Sequence, residues 1–552
     1  MQISKFLSFR DKIIASFLIL VFIFSFSFLG YNIFKNFTKS VPKKGGEYVE
    51  GVLGYPLFIN PLLSQSSDAD SDLTQLIYSG LFKFDKDGKA TNDLAEKYEV
   101  SEDEKKYTIF LKKNAIWHDE VALTADDVVF TVHILQDPAY GSVLRQSWQG
   151  IEVSKVDDYT VSFSLKNKYF GFLNKLTLGI LPKHIWENID PERFFLAEYN
   201  IKPIGSGSYK FSAMQKDSEG KVISYELVSF EKYYAEEPYI SKFVLNFYPN
   251  EELMISDYNN KEIKGMSNIT PSKLGSIKNK TVVREISIPR YFAVFFNQNK
   301  SIPLASKEVR EALSYATDRS VLINDIFKGK AKGVFNPFLS EMKDYNNEIE
   351  KYAFNVEKAN EILENSGWKM NRGKGVREKN GIELKFTIYT IDYLELSETA
   401  KIISKEWEKI GAKAEVSILT ISDLQQNYIR PREYDSILLG QDISFSPDPY
   451  AYWHSSQKDD PGLNISLFSN KQVDELLENA RQELDENARI EAYREFQKII
   501  AEKIPAVFFY SNLYLYPMSD EVKGVEINRV NFPFWRFADV NKWYIKTKRI
   551  LK

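Results

Sequence analysis

The sequence predicts an α/β protein of two or more lobes preceded by one transmembrane helix, and three observations carry that prediction. The chain has 552 residues, more than the ~250–300 at which single hydrophobic cores stop growing. In its second half Leu384, Phe386 and Ile388 alternate as a strand, Leu396, Ala400, Ile403, Trp407 and Ile410 keep a helical period, and Ala414, Val416 and Ile418 alternate again. Strand, helix and strand of these lengths make a βαβ unit. Residues 13–34 carry no charge and are dominated by Ile, Leu, Phe and Val, close to the ~20 residues a helix needs to cross a bilayer.

Taken in order, Lys5, Arg10 and Lys12 precede the apolar run and Lys35, Lys39, Lys43 and Lys44 follow it, so charge bias does not settle its orientation. The run is longer than the core of a cleavable signal, and no A-x-A-like site follows, which favours an uncleaved anchor. Residues 38–47, with Pro42, Gly45 and Gly46, read as a linker. The cluster SQSSDADSD at 64–72 reads as a polar turn leading into a helix N-cap. Tyr107, Ile109 and Leu111 alternate as a half-buried strand. Thr124 then stands at a helix N-cap with Asp127 three residues on, and Val128, Thr131, Val132 and Leu135 mark one helical face.

Gly205-Ser206-Gly207 invites a phosphate-loop reading, but no Lys-Ser/Thr pair opens a helix after it, and Tyr209 to Phe211 reads as a strand. The run IPRYFAVFFN at 288–297 is apolar without alternation, as in a strand covered on both faces. Ser306 caps a helix with Val309, Ala312, Leu313 and Ala316 inside, and Asn355 caps another closed by Gly367. Two more helical runs, around Leu476 and Phe496, precede a strand-rich return at 504–516.

Several chemistries are excluded. A net charge of −4, with no basic block outside the N-terminal region, argues against nucleic acid as a partner. The absence of Cys excludes disulfides, thiolate metal sites, a cysteine nucleophile and a lipid-modified cysteine. His118, His133, His184 and His454 form no H-E-x-x-H and no i, i+4 pair, so no metal and no cofactor is expected. No G-x-S-x-G elbow occurs, and no catalytic residue is assigned. Phe, Trp and Tyr make up 14% of the chain, enough to line a cleft as well as fill cores.

The motifs and their order say more. The stretch YTIFLKKNAIWHDEVALTADDVVF at 107–130 resembles the leading signature of the extracytoplasmic solute-binding proteins of the peptide/nickel class, family 5. Lys112 stands where that family usually has Arg, and Glu120 where it usually has Gly. KPIGSGSYK at 202–210, FFNQN with VREALSYATDR at 295–319, YDSILLGQDISFSPDPYAYW at 434–453 and FADVNKWY at 537–544 follow in the family's order.

The resemblance implies a two-lobed periplasmic-binding-protein-like fold of type II, with the extra subdomain of the large peptide-binding class. The expected division is 1–12 cytoplasmic, 13–34 anchor, 35–47 linker, 48–290 first lobe with an extra subdomain at about 76–195, 291–507 second lobe, and 508–552 returning to the first. It implies a membrane-anchored, monomeric binder, its large domain outside the cytoplasm, that captures peptides between the lobes for the permease subunits of an ABC importer. Nickel complexes, haem or oligosaccharides are alternative ligands within the family, and a peptide receptor or chaperone without an importer is the alternative role. The expected ligand-binding residues are Asp442, Ser66, Ser67, Asp68, Phe445, Trp453 and Asn297. Asp442 matches the position that in several peptide binders pairs with the ligand's α-amino group, though before Ser444 and Pro447 it also suits a turn. Asp448, before Pro449, suits a turn better.

Overall fold

The computed structural model describes residues 9–86 and 88–552, with the side chains of Ile33 and Ser66 also outside the described set. One sheet joins two lobes. At one end the parallel strands Lys385–Ile391 and Lys413–Leu419 flank the helix Leu394–Glu408, which is the βαβ unit read from the alternation. At the other, Tyr209–Lys216, Val222–Ser229 and Lys242–Tyr248 run antiparallel.

The strand Ala506–Ser519 crosses between the lobes. Its first half pairs with Arg290–Phe296 and its second with Thr281–Ser287. The change of lobe expected at 507 and 508 thus falls inside a continuous strand. In Arg290–Phe296, Tyr291, Ala293 and Phe295 enter one core and Val294 and Phe296 the other, so the run is apolar because both faces are covered.

The first lobe's core gathers residues from Tyr48 to Ile288 and takes in Tyr514 to Trp543 from the chain's end. Within it, Ala95–Val100, Lys106–Leu111, Thr160–Leu165 and Ile151–Asp157 form a four-stranded antiparallel sheet. The helix Ala125–Gln136 starts as its capping residues predict, with Thr124 N donating to Asp127 Oδ2 at 2.8 Å. Just before it, Glu120 sits at φ 72°, the left-handed region glycine occupies without cost, at a turn closed by Glu120 N to Trp117 O, 2.8 Å. The departure from the motif is therefore tolerated with local strain, and Lys232 pairs with the Glu120 carboxylate at 2.6 Å.

The glycines at 205 and 207 serve packing. A Cβ on Gly205 would lie 2.0 Å from the Ile77 carbonyl oxygen, and Gly207 N donates to that oxygen at 2.7 Å. His118 clasps the same loop: Gly205 N donates to its Nδ1 at 3.2 Å, so the ring proton sits on Nε2 and is directed to Gly207 O at 3.0 Å. Burial holds the imidazole down to about 4, so it stays neutral. Gly205→Ala should cost about 1–3 kcal/mol, because backbone cannot step aside as a side chain can. Thermal unfolding checks this, and an unchanged midpoint would mean the loop relaxes freely.

Beneath the inter-lobe surface lies a buried charged cluster. Arg536, in the turn Pro533–Phe537, donates to Asp72 Oδ1 at 2.6 Å and Glu50 Oε1 at 2.7 Å, and all three side chains are at most 1% exposed. Tyr48 OH and Tyr516 OH also donate to Glu50. The cluster ties the strand Glu47–Leu53 to the helix Asp68–Ile77 and to the returning chain end.

The apolar run forms the helix Phe9–Phe37, which has a mean hydropathy of 2.6 over its most apolar window and is long enough to cross a bilayer. Of the expected segment 1–12, residues 1–8 lie outside the described residues. The expected linker needs correction: Thr38–Lys43 is a strand, antiparallel to the C-terminal strand Lys546–Leu551. Its residues have little local strand preference, and the pairing is supplied by a segment at the other end of the chain.

Candidate ligand-binding cavity

The site begins with the strand ends. Arg290 and Asp442 open and close antiparallel neighbours and lie directly opposite one another, so their side chains leave the sheet on one side. The guanidinium grips the carboxylate through Nε to Oδ1 and Nη2 to Oδ2, the latter at 3.2 Å. Asp68, first residue of the helix Asp68–Ile77, adds a second carboxylate close enough to act on Arg290. This side of the site carries two acids and one base.

These residues line a cavity of about 720 Å³ between the lobes. The helix Asp68–Ile77 supplies Asp68, Ser71, Thr74 and Gln75, and the segment at 169–179 supplies Tyr169 and Lys175. Arg290 enters from the junction between the lobes, the second lobe supplies Asp442, Ile443, Ser444, Ser446, Asp448 and Tyr452, and the returning chain supplies Asn531 to Trp535. The lobes touch at its rim, where Phe170 N donates to Arg481 O at 3.1 Å and Phe445 N to Asn531 Oδ1 at 2.8 Å.

A second group of charges has the opposite sign. Asp448 Oδ2 accepts from Arg481 Nε at 2.9 Å and from Tyr169 OH at 3.4 Å, while its Oδ1 accepts from Tyr450 N at 3.3 Å. The residue therefore makes the expected turn and an inter-lobe bond as well. Lys175 lies beside this pair over the Tyr169 ring, 5.7 Å from its centroid, with no hydrogen-bonded carboxylate among the described residues. Desolvation, reinforced by Arg481 and opposed by Asp448, brings its ammonium down to about 8. Two cations share one carboxylate here.

Three buried polar atoms on the cavity walls have no protein partner: Thr74 Oγ1, Tyr78 OH and Asn531 Nδ2. All three atoms are closed to solvent in this conformation. Among the described residues no group of three or more His, Asp or Glu is arranged to hold a metal ion.

The residues expected at the site are only partly brought together. Asp442 and Asp68 line the cavity. Ser67 caps the helix, its hydroxyl accepting from Asp70 N at 3.4 Å, and the side chain of Ser66 lies outside the described residues. Phe445 bridges the lobes, lying against Gly88 and under Arg529, 5.4 Å from its ring. Trp453 is 1% exposed and packs among Phe295, Phe496 and Phe508, because its short helix turns that face into the second lobe's core. Asn297 is also buried away from the cavity, its Oδ1 accepting from Asn299 N and Lys300 N in the turn that ends the strand. Arg290, Lys175, Tyr169 and Arg481 were not singled out, although Arg290 is the one charge in the apolar run IPRYFAVFFN.

Two lobes sharing one sheet around a charge-divided cavity define a solute-binding protein of the periplasmic type. Residues 89–462 match the family described as "Bacterial extracellular solute-binding proteins, family 5 Middle", and the chain belongs to it. It is 28% identical to the oligopeptide-binding protein AppA of Bacillus subtilis over 517 residues, covering 91% of this chain and 92% of that one. The structure of AppA with a nonapeptide superposes with a TM-score of 0.74 at 27% identity, covering 92% of this chain and 100% of AppA's. The dipeptide-binding protein of Escherichia coli is 27% identical over 86% of this chain and 91% of its own. NikZ of Campylobacter jejuni, solved with Ni(L-His), matches with a TM-score of 0.75 at 26% identity, over 91% of this chain and 100% of its own.

Proposed function

We propose that the cavity captures a peptide, and that closure of the lobes over it forms the complex presented to the permease subunits of an ABC importer. The division of charge along the cavity carries this reading. A zwitterionic chain places its ammonium against Asp442 and Asp68 and its carboxylate against Lys175, beside the Arg481–Asp448 pair. The relatives named for oligopeptides and dipeptides support it.

The lobes, taken as 48–290 with 508–552 and as 291–507, with 76–195 as an added subdomain, hinge on the two crossing strands, and ligand contacts from both favour the closed state. The role is binding rather than catalysis, as in the solute-binding relatives. Helix Phe9–Phe37 anchors the monomer in the cell membrane, with the lobes outside the cytoplasm, as the family's extracellular description supports.

Native mass spectrometry of the purified protein would reveal a bound peptide, and titration of matched peptides tests the ends. A charge-assisted bond to an ammonium is worth about 1.5–3 kcal/mol, so Asp442→Asn should weaken a free peptide roughly tenfold or more. N-acetylation should weaken it similarly in the unaltered protein. Stability should barely move, since the Arg290–Asp442 pair is about two-fifths exposed. Equal affinity for free and acetylated peptides would reject the assignment.

A further inference from the structure

The acidic and basic poles of the cavity are tied together by one short piece of chain. Asp442 stands at the acidic pole and Asp448 at the basic one, and Ile443, Ser444 and Ser446 between them line the cavity as well. The segment 442–448 therefore follows the cavity wall from one pole to the other. Its covalent length limits how far apart the poles can stand.

An extended chain advances at most about 3.3–3.6 Å per residue, so over the steps from 442 to 448 the two Cα atoms lie at most about 20–22 Å apart. The segment is shorter than that limit because it is not extended. It bends at Phe445 and Ser446, where Ser446 N donates to Ser444 Oγ at 3.1 Å. Tyr450 N donates to Asp448 Oδ1 at 3.3 Å as the helical turn Tyr450–Trp453 begins, and from that turn Tyr452 OH reaches back to Asp442 O at 2.9 Å. One tyrosine side chain and part of one helical turn thus span the distance from Asp448 to Asp442. The basic pole is walled by both lobes, with Arg481 between the rings of Tyr169 and Tyr450, 5.3 and 4.3 Å from their centroids.

We propose, resting on the reading of the cavity as a peptide site, that its ligands are peptides of two to five residues held at both termini at once, with the segment 442–448 as the ruler. A bound peptide advances by the same increments as the wall beside it. Five extended residues span about 17–18 Å and nine about 30–32 Å. The shorter chain fits between the poles, whereas the longer one exceeds even a fully extended 442–448. A nonapeptide leaves one terminus off its pole, or else folds back on itself in a cavity of about 720 Å³.

The test titrates the full-length protein with peptides of alanine and serine from two to nine residues, each with free ends, N-acetylated, or C-amidated. Affinity should peak within two to five residues, and the nonapeptide should bind about tenfold or more weakly than the best short peptide, the cost of one lost charge-assisted bond. At the best length, acetylation and amidation should each cost about tenfold. In the nonapeptide one of the two should cost almost nothing, since only one end is held. A nonapeptide that binds as tightly as the best short peptide would overturn the length limit and leave the peptide reading standing. Tenfold losses at both ends of the nonapeptide would also overturn it, because both poles would then be reached at once. Binding at no length would refute the peptide reading itself, and the limit with it.

Discussion

Arg536→Met should destabilise the protein by about 3–5 kcal/mol at neutral pH, because it leaves Glu50 and Asp72 facing each other in a site closed to water. The guanidinium is the cluster's only cation among the described residues, and methionine fills its volume without its charge. Adding Glu50→Gln and Asp72→Asn should recover most of the loss, since a neutral cluster has no charge left to compensate. Little effect from Arg536→Met alone would mean the two acids share protons rather than bind the guanidinium.

The same cluster has a pH signature. Burial, with Glu50 adding to it, pushes the Asp72 carboxyl up to about 7 against the pull of Arg536, and burial likewise takes Glu406 to about 7. A carboxyl raised in the folded chain binds its proton more tightly there than when unfolded, so its contribution is present at low pH and lost as pH rises toward 7. His118, held down to about 4, works in the opposite sense, but only below its unfolded value near 6.5. Between pH 6.5 and 7.5, below the Lys175 ammonium near 8, the raised acids dominate, so the unfolding midpoint should fall across that window and fall more steeply in Arg536→Met. A flat profile in both proteins would contradict the raised carboxyls.

Replacing Lys175 by Gln should weaken a peptide with a free C-terminus by about 30-fold while leaving the amidated peptide almost unchanged. Removing one partner of a desolvated charge pair costs about 2 kcal/mol or more, which is that factor. Because the Lys175 ammonium sits near 8, the free peptide should weaken as pH rises from 7 to 9.5 by more than the amidated peptide, whose loss comes only from deprotonation of the α-amino group that both share. Lys175→Arg should keep the discrimination and remove the extra pH-dependent loss of the free peptide, since guanidinium stays charged throughout. If free and amidated peptides bind alike to the unaltered protein, Lys175 is not the carboxylate's partner.

What could be read from the chain followed the range of the forces involved. The strand at 106–111, the cap at Thr124 and Asp127 and the βαβ unit at 385–419 rest on neighbours in sequence, and periodicity reports them directly. The strand Thr38–Lys43 rests on Lys546–Leu551, and no local pattern could announce it. The site divides in the same way. Asp442 was reached through a motif, and its partner Arg290 by register alone. Lys175, Asp448 and Arg481 come from three separate segments: Asp448 and Arg481 pair within the second lobe, and Lys175 meets them only when the lobes do. Trp453 and Asn297 lie in the right motifs, but a motif records which residues recur and not which way they face; both turn inward.

The dependence of Glu50 on Arg536 also has a meaning in time. The partners are 486 residues apart, and at about 5–20 residues per second the guanidinium is made tens of seconds after the carboxylate. Until then the strand Glu47–Leu53 cannot be buried without an unpaired charge, and the first lobe, although its residues are made first, cannot close. Residues 291–510 have their own helices and cores ready before the arginine exists. The half of the protein that leads in sequence thus finishes last, and a ribosome stalled anywhere short of Arg536 leaves it open to proteases while its neighbour is already sealed.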